Sequence, residues 1–171
     1  MALMNQYITK GLVRSIGFSL VLITLLMMVC FGSVRLGFVA MFPNLFPVIV
    51  CGAIVGYAKI PLEFVTMTVA PLILGLAVDD TIHFISSLKT NIIKTNDYDK
   101  GIERAYKEVG IAITKTTIIL SASFLVFTVS DIKSTVNMGI LTCAGISAAY
   151  LADIFIMPLM IKWIKPFKIQ E

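Results

Sequence analysis

Long apolar runs separated by short clusters of charge set the layout of this chain. Five runs read as membrane spans, at about 16–34, 45–58, 62–88, 110–129 and 136–163. A transmembrane helix needs about 20 predominantly apolar residues. The pattern predicts an all-α, polytopic membrane protein with five transmembrane helices, in a single transmembrane domain over residues 1–171. Between the third and fourth runs lies a polar segment, 89–109. In its second half, 98–109, Ile102, Ala105, Tyr106 and Val109 recur at helical spacing with charges between them. That spacing predicts one amphipathic interfacial helix lying along the membrane surface.

The breaks between runs carry their own signals. Arg35 and the pair Pro43-Asn44 interrupt the apolar pattern ahead of the second span. Proline cannot donate a backbone hydrogen bond and marks turns, so a bent lead-in is expected there. Gly52 and Gly56 form a GxxxG pair, a spacing that lets two helix backbones approach closely. Lys59, Pro61 and Glu63 make a short loop. Pro71, one turn before Gly75, is expected to weaken or bend the third span between those positions. Gly75 should let a neighbouring helix come close to Asp79. The fifth span ends in Trp163, an interfacial anchor, and the basic residues Lys162, Lys165 and Lys168.

Composition agrees with a membrane protein. The 171 residues are 58% hydrophobic and 14% charged, with a mean hydropathy of +0.94. A soluble domain averages about 45–50% apolar and 25% charged. The basic excess does not form a stripe with interleaved aromatics, so nucleic acid is not an expected partner. Cys30, Cys51 and Cys143 all lie inside apolar runs and read as free thiols, without metal-site spacing. Neither cofactor nor metal is called for. The run 16–34 is too long for a signal-peptide core and lacks a clear cleavage motif. With the C-terminus in the cytoplasm, nine basic residues fall inside and four outside. The charge rule therefore favours an external N-terminus and a cytoplasmic C-terminus. An external N-terminus is natural if the chain is the tail of a longer one.

The chemistry concentrates in the third span. Asp79 and Asp80 are adjacent, and His83 lies four and three residues on, within reach of either. Ionisable groups in hydrocarbon are costly and usually mark an ion path or a substrate site. Two adjacent carboxylates cannot easily both stay ionised in a low-dielectric place. The bland alternative is a polar pair that holds helices together. His83 either shares a proton with a carboxylate or only bonds a neighbouring helix. In the fourth span, Thr114, Thr117 and Ser121 fall on one face and offer hydroxyls to a carboxylate, or bond back to their own helix. Lys115 either snorkels to the interface or turns inward as a counter-ion. Asp153 is a further intramembrane acid, read as a cap or a hydrogen-bonding group.

Taken together these residues resemble a known family. The stretch Gly75-Leu76-Ala77-Val78-Asp79-Asp80-Thr81-Ile82-His83-Phe84 resembles the signature of the resistance–nodulation–division (RND) superfamily. The nearest branch is the MMPL-type exporters, with a sterol-sensing-like membrane core. Pro43-Asn44 with Pro47 is similar to the start of that family's ninth span. Val109-Gly110-Ile111-Ala112-Ile113 with Thr116-Thr117 and Leu120 is similar to its eleventh, and Tyr150-Leu151-Ala152-Asp153 with Pro158 to its twelfth. Ser123 stands where many relatives carry glycine. Full members resemble a duplicated array of twelve spans with two large external domains, and this chain matches the last five spans.

The resemblance implies the C-terminal transmembrane part of a proton-coupled exporter of hydrophobic or lipid-like substrates, and not an enzyme. Asp79 and Asp80 would accept protons, with Thr116, Thr117, His83 and Lys115 orienting them or stabilising their charge. Gly75, Gly52 and Gly56 would serve helix packing. The implied partners are the lipid bilayer, a lipid-like small molecule, and the missing N-terminal half with its external domains; a homo-oligomer is compatible. The implied location is the bacterial inner membrane. Two alternatives stand beside this reading: a sterol-sensing-like lipid-binding module without transport, and a membrane-embedded enzyme holding a divalent metal through Asp79, Asp80 and His83.

Overall fold

The computed structural model describes residues 2–61 and 63–167, so Leu62 and Lys168 lie outside the described residues. Among those described, every regular element is helical: α1 (Ala2–Phe31), α2 (Val34–Tyr57), α3 (Phe64–Met67), α4 (Val69–Thr95), α5 (Tyr98–Ala105), α6 (Ile111–Leu125), α7 (Lys133–Leu151) and α8 (Met157–Ile164). Two π-helical segments, Tyr106–Gly110 and Ala152–Ile156, join α5 to α6 and α7 to α8. Five helical stretches are long and apolar enough to cross a membrane: Arg14–Phe31, Val34–Tyr57, Val65–Thr95, Tyr98–Val129 and Lys133–Ile164.

Three expectations about the boundaries are corrected. The second long helix starts at Val34, well before the expected 45, and holds Pro43 and Pro47 inside it. In water those prolines would mark a turn. In lipid an unbonded backbone group costs several kcal/mol, so the chain stays helical around them. Both prolines are buried among neighbouring helices. The third long helix breaks at Thr68, ahead of Pro71. Pro71 thus sits in the first turn of α4, where its missing N–H has no partner to lose.

The third correction concerns the segment 98–109. It is helical, and Tyr98, Ile102, Tyr106 and Val109 pack on the core as the spacing requires. It is not a separate element. It runs through the π segment into α6, so that Tyr98–Val129 forms one 32-residue helical stretch. That stretch exceeds by about 12 residues the ~20 needed to cross. The amphipathic turns are the protruding end of a span. Their start is sharp. Asn96 ends α4 in the left-handed region (φ 52°), and the Asp97 carboxylate caps α5 by accepting from the N–H groups of Asp99 (2.8 Å) and Lys100 (3.1 Å). The hydrogen bond from the Lys100 N–H, with that from Asp99, holds the Asp97 carboxyl below the usual carboxylate range.

Lipid tails are as apolar as leucine, so close packing and hydrogen bonds, more than dehydration, hold such helices together. Phe84, Ile85, Leu88 and Ile92 line the packed face of α4 and are fully buried, with Met27 and Phe31 of α1, Leu36 and Ala40 of α2, and Met157 and Ile161 of α8. The glycines that permit close approach are not those expected. A Cβ at Gly145 would lie 2.1 Å from Ile73 Cδ1 and 2.9 Å from Cys51 Sγ. One at Gly37 would lie 2.6 Å from Met28 Cγ. At Gly75, Gly52 and Gly56 an added Cβ would meet nothing within 4 Å, so among the described residues no close approach depends on them. Gly52 instead lines an apolar cavity of about 130 Å³ with Cys51, Val55 and Leu141.

Candidate functional site

Helix α4 has two chemically different faces at its middle. Asp79 and His83 stand one turn apart on the open face, with Asp79 Oδ1 3.6 Å from His83 Nε2. Their side chains are 75% and 70% exposed within this chain. Asp80, a further 100° round the helix, is half-buried. Thr81 is fully buried on the packed face. The helix therefore carries polar groups from solvent-facing to interior within three residues.

A cavity of about 350 Å³ opens beside the acids. On one side it is lined by Asp79, Asp80 and His83. On the other it is lined by Glu108, Val109, Ala112, Ile113 and Thr116, from the π segment and α6. The structure thus brings together four of the six residues expected to form a relay. Thr116 faces the acids across this cavity, but its hydroxyl donates to the Ile113 carbonyl (2.9 Å) of its own helix. Thr117 does not line the cavity. It is buried on another face, and its hydroxyl lacks a hydrogen-bond partner. Lys115 is exposed, lies outside the cavity, and forms no ion pair among the described residues. The hydroxyl face of α6 turns toward the last long helix instead: Thr114 Oγ1 is 3.0 Å from Tyr150 Oη.

Glu108 is a further site residue, in sequence only one charge among many in the segment 89–109. It holds the end of the cavity nearest α5 and is fixed by α4. The buried Asn91 donates Nδ2 to Glu108 Oε2 at 2.7 Å, and Ser87 Oγ lies 3.4 Å from the same oxygen. Its place in a π segment is a second sign, since such bulges recur at functional sites. Asp153, in the other π segment, is 1% exposed, and its Oδ1 lies 2.7 Å from Thr81 Oγ1, within hydrogen-bond distance. Asn44, read from sequence as a turn residue, is fully buried next to that same threonine, 3.3 Å from Thr81 Oγ1. Among the described residues, no group of three or more His, Cys, Asp or Glu side chains is placed to hold a metal ion.

Five apolar helical stretches, three of them with acids inside, define a polytopic, all-α membrane protein. The sequence model of the MMPL family matches residues 1–167, and the chain belongs to that family. It is 29% identical over 139 residues to a protein of Methanocaldococcus jannaschii described as a membrane protein, covering 81% of this chain and 36% of that one. It is 26% identical over 105 residues to the hopanoid transporter HpnN of Rhodopseudomonas palustris, covering 61% of this chain and 12% of that one. The matches thus span well under half the length of these relatives. No solved structure matches the chain.

Proposed function

We propose that the chain is the C-terminal transmembrane part of a proton-coupled exporter, and that Asp79 and Asp80 are its proton acceptors. One observation carries this reading. Two adjacent acids and a histidine in the middle of an apolar helix open onto a cavity whose far end holds a third carboxylate, Glu108. Intramembrane acids that face a cavity, and not a fixed counter-charge, are placed to take and release protons. His83, one turn from Asp79, serves as the relay partner, and of the three acids that line the cavity Glu108 is nearest the amphipathic, protruding end of the helices. Thr116 shares the cavity and stabilises charge there. Transport, and not chemistry on a substrate, is the function this arrangement serves.

One relative, named as a hopanoid transporter, supports a reading of the substrate class. We take the cargo to be a hydrophobic or lipid-like molecule, moved outward across a bacterial inner membrane. The single transmembrane domain works with an N-terminal half and external domains supplied by the rest of a longer transporter. Its N-terminus is external and its C-terminus cytoplasmic. The test is proton-driven export by the intact transporter in proteoliposomes. Asp79→Asn should abolish export while helical content is kept, because an amide can replace a protonated acid as a hydrogen-bonding group. Asp80→Asn should impair it. Full-rate export by the double variant would remove these acids from the proton path.

A further inference from the structure

On the opposite side of α4 from the open cavity, three buried polar side chains from three long helices meet: Asn44 of α2, Thr81 of α4 and Asp153 in the π segment after α7. Their relative exposures are 0%, 0% and 1%. Asn44 Nδ2 donates to the Ala40 carbonyl at 2.8 Å. A carbonyl can only accept, so this bond fixes the amide with Oδ1 toward Thr81. Thr81 Oγ1 then lies 3.3 Å from one acceptor, Asn44 Oδ1, and 2.7 Å from another, Asp153 Oδ1. A hydroxyl has one hydrogen. It cannot serve both acceptors.

The second carboxyl oxygen, Asp153 Oδ2, is buried and has no hydrogen-bond partner among the described residues. None of the three ion pairs among the described residues involves Asp153. The titratable group facing it from α4 is Asp80, itself an acid. From the Tyr98–Val129 stretch comes Tyr106, whose hydroxyl is used on the Ile154 carbonyl, and its own helix carries Tyr150. Helix α2 brings Asn44, and Lys162 of α8 is paired with Asp99. An ionised carboxylate in such surroundings is costly, and a carboxyl group there is neutralised by a proton.

We propose that Asp153, Thr81 and Asn44 form a second proton-carrying site, separate from the Asp79 and Asp80 cavity, and that Asp153 carries a proton in this conformation. The hydrogen count then closes. The Asp153 O–H donates to Thr81 Oγ1, the Thr81 O–H donates to Asn44 Oδ1, and Oδ2 is a neutral carbonyl oxygen. When the proton leaves, the Thr81 hydroxyl turns to donate to Asp153 Oδ1, and Asn44 Oδ1 loses its donor. One proton thus decides whether Thr81 is a donor to α2 or to the last long helix. Asp80, the residue before Thr81, places the open cavity and this buried site on opposite sides of one helical turn.

Infrared spectroscopy of the full chain in lipid nanodiscs tests this without any need for transport, so its failure and that of the export reading are distinguishable. The Asp79→Asn/Asp80→Asn background leaves Asp153 as the buried aspartate among the described residues. With isotope-labelled aspartate, that background should show one protonated-carboxyl C=O band at neutral pH. Asp153→Asn added to it should remove the band. Thr81→Val should keep the band and move it to higher wavenumber, as a hydrogen bond to the acid is lost. Absence of the band in the background, or its survival in Asp153→Asn, overturns the proposal. Should Asp153→Asn fail to fold, Thr81→Val decides alone: an unmoved band overturns it.

Discussion

The Tyr106 hydroxyl donates to the carbonyl oxygen of Ile154, and so ties one π segment to the other. A π turn shifts the backbone bonding register and leaves carbonyls in need of donors. Tyr106 answers that need across the gap between two long helices, and its ring also packs on Phe84 at a centroid distance of 5.5 Å. Tyr106→Phe keeps the ring and removes only the donor. It should lower stability by about 1 kcal/mol, and by more if the carbonyl stays dry. Denaturation in mixed micelles measures this; an unchanged midpoint would refute the role assigned to the bond.

Glycine substitutions should separate packed from open positions. Gly145→Ala places a methyl 2.1 Å from Ile73 Cδ1 and close to Cys51 Sγ. It should cost about 1–3 kcal/mol, the usual range for overpacking a filled core. Gly75→Ala meets open space in this chain and should leave its stability within about 1 kcal/mol, since alanine is the better helix former. Equal effects of the two changes would contradict the packing described.

The start of α5 and the C-terminal end of α8 are joined in two ways of unequal worth. Lys162 Nζ lies 2.5 Å from Asp99 Oδ1, but both side chains are more than half exposed. Such pairs contribute about 0–1 kcal/mol and weaken with salt. Tyr98 Oη donates to the Phe167 carbonyl (2.7 Å) and accepts from the Phe167 N–H (3.1 Å). Tyr98→Phe should therefore loosen this junction more than Lys162→Ala does, as read by proteolysis of the C-terminal segment. The reverse order would be evidence against it.

Acid should undo the turn before α5. The folded Asp97 carboxyl is held below its ordinary value of about 3.9, so its capping contribution is complete above that pH. It is lost as pH falls through the lower, folded value. Hydrogen exchange at the Asp99 and Lys100 amides, corrected for intrinsic rate, should stay slow at neutral pH and quicken well below pH 4. In Asp97→Ala it should be fast throughout. Protection in that variant equal to wild type would show that the cap is idle.

Topology has a direct chemical readout. With Cys30, Cys51 and Cys143 replaced, a cysteine at Asn96 should react with an impermeant reagent only from the cytoplasmic side, and one at Asn5 only from outside. External labelling at Asn96 would invert the orientation given under the proposed function.

The helices were legible because apolar length is a one-dimensional property, and bilayer thickness sets the scale. Pro43 and Pro47 misled because their turn preference holds where water can take up the freed carbonyls, and lipid cannot. Asp79, Asp80, His83 and Thr116 stood out as polar residues in apolar runs. Glu108 did not, because it sits among other charges and only Asn91 and Ser87 mark it out. The meeting of Asn44, Thr81 and Asp153 joins positions 37 and 72 residues apart. No local pattern encodes such a meeting; the helix crossings create it. Gly75 shows the converse: a sequence signal for contact at a place where this chain offers none.

Helix α6 leans on α7, through Thr114 against Tyr150 and Gly139 against the Phe124 carbonyl, while the contacts of its stretch with α4 lie mainly in the π segment before it. The seam that holds Asp79 and Thr116 is therefore anchored at one end only, like a door hung from the wrong wall. A tilt of α6 about the π segment would widen or narrow that seam without disturbing the knot of Cys51, Ile73 and Gly145 that locks α2, α4 and α7.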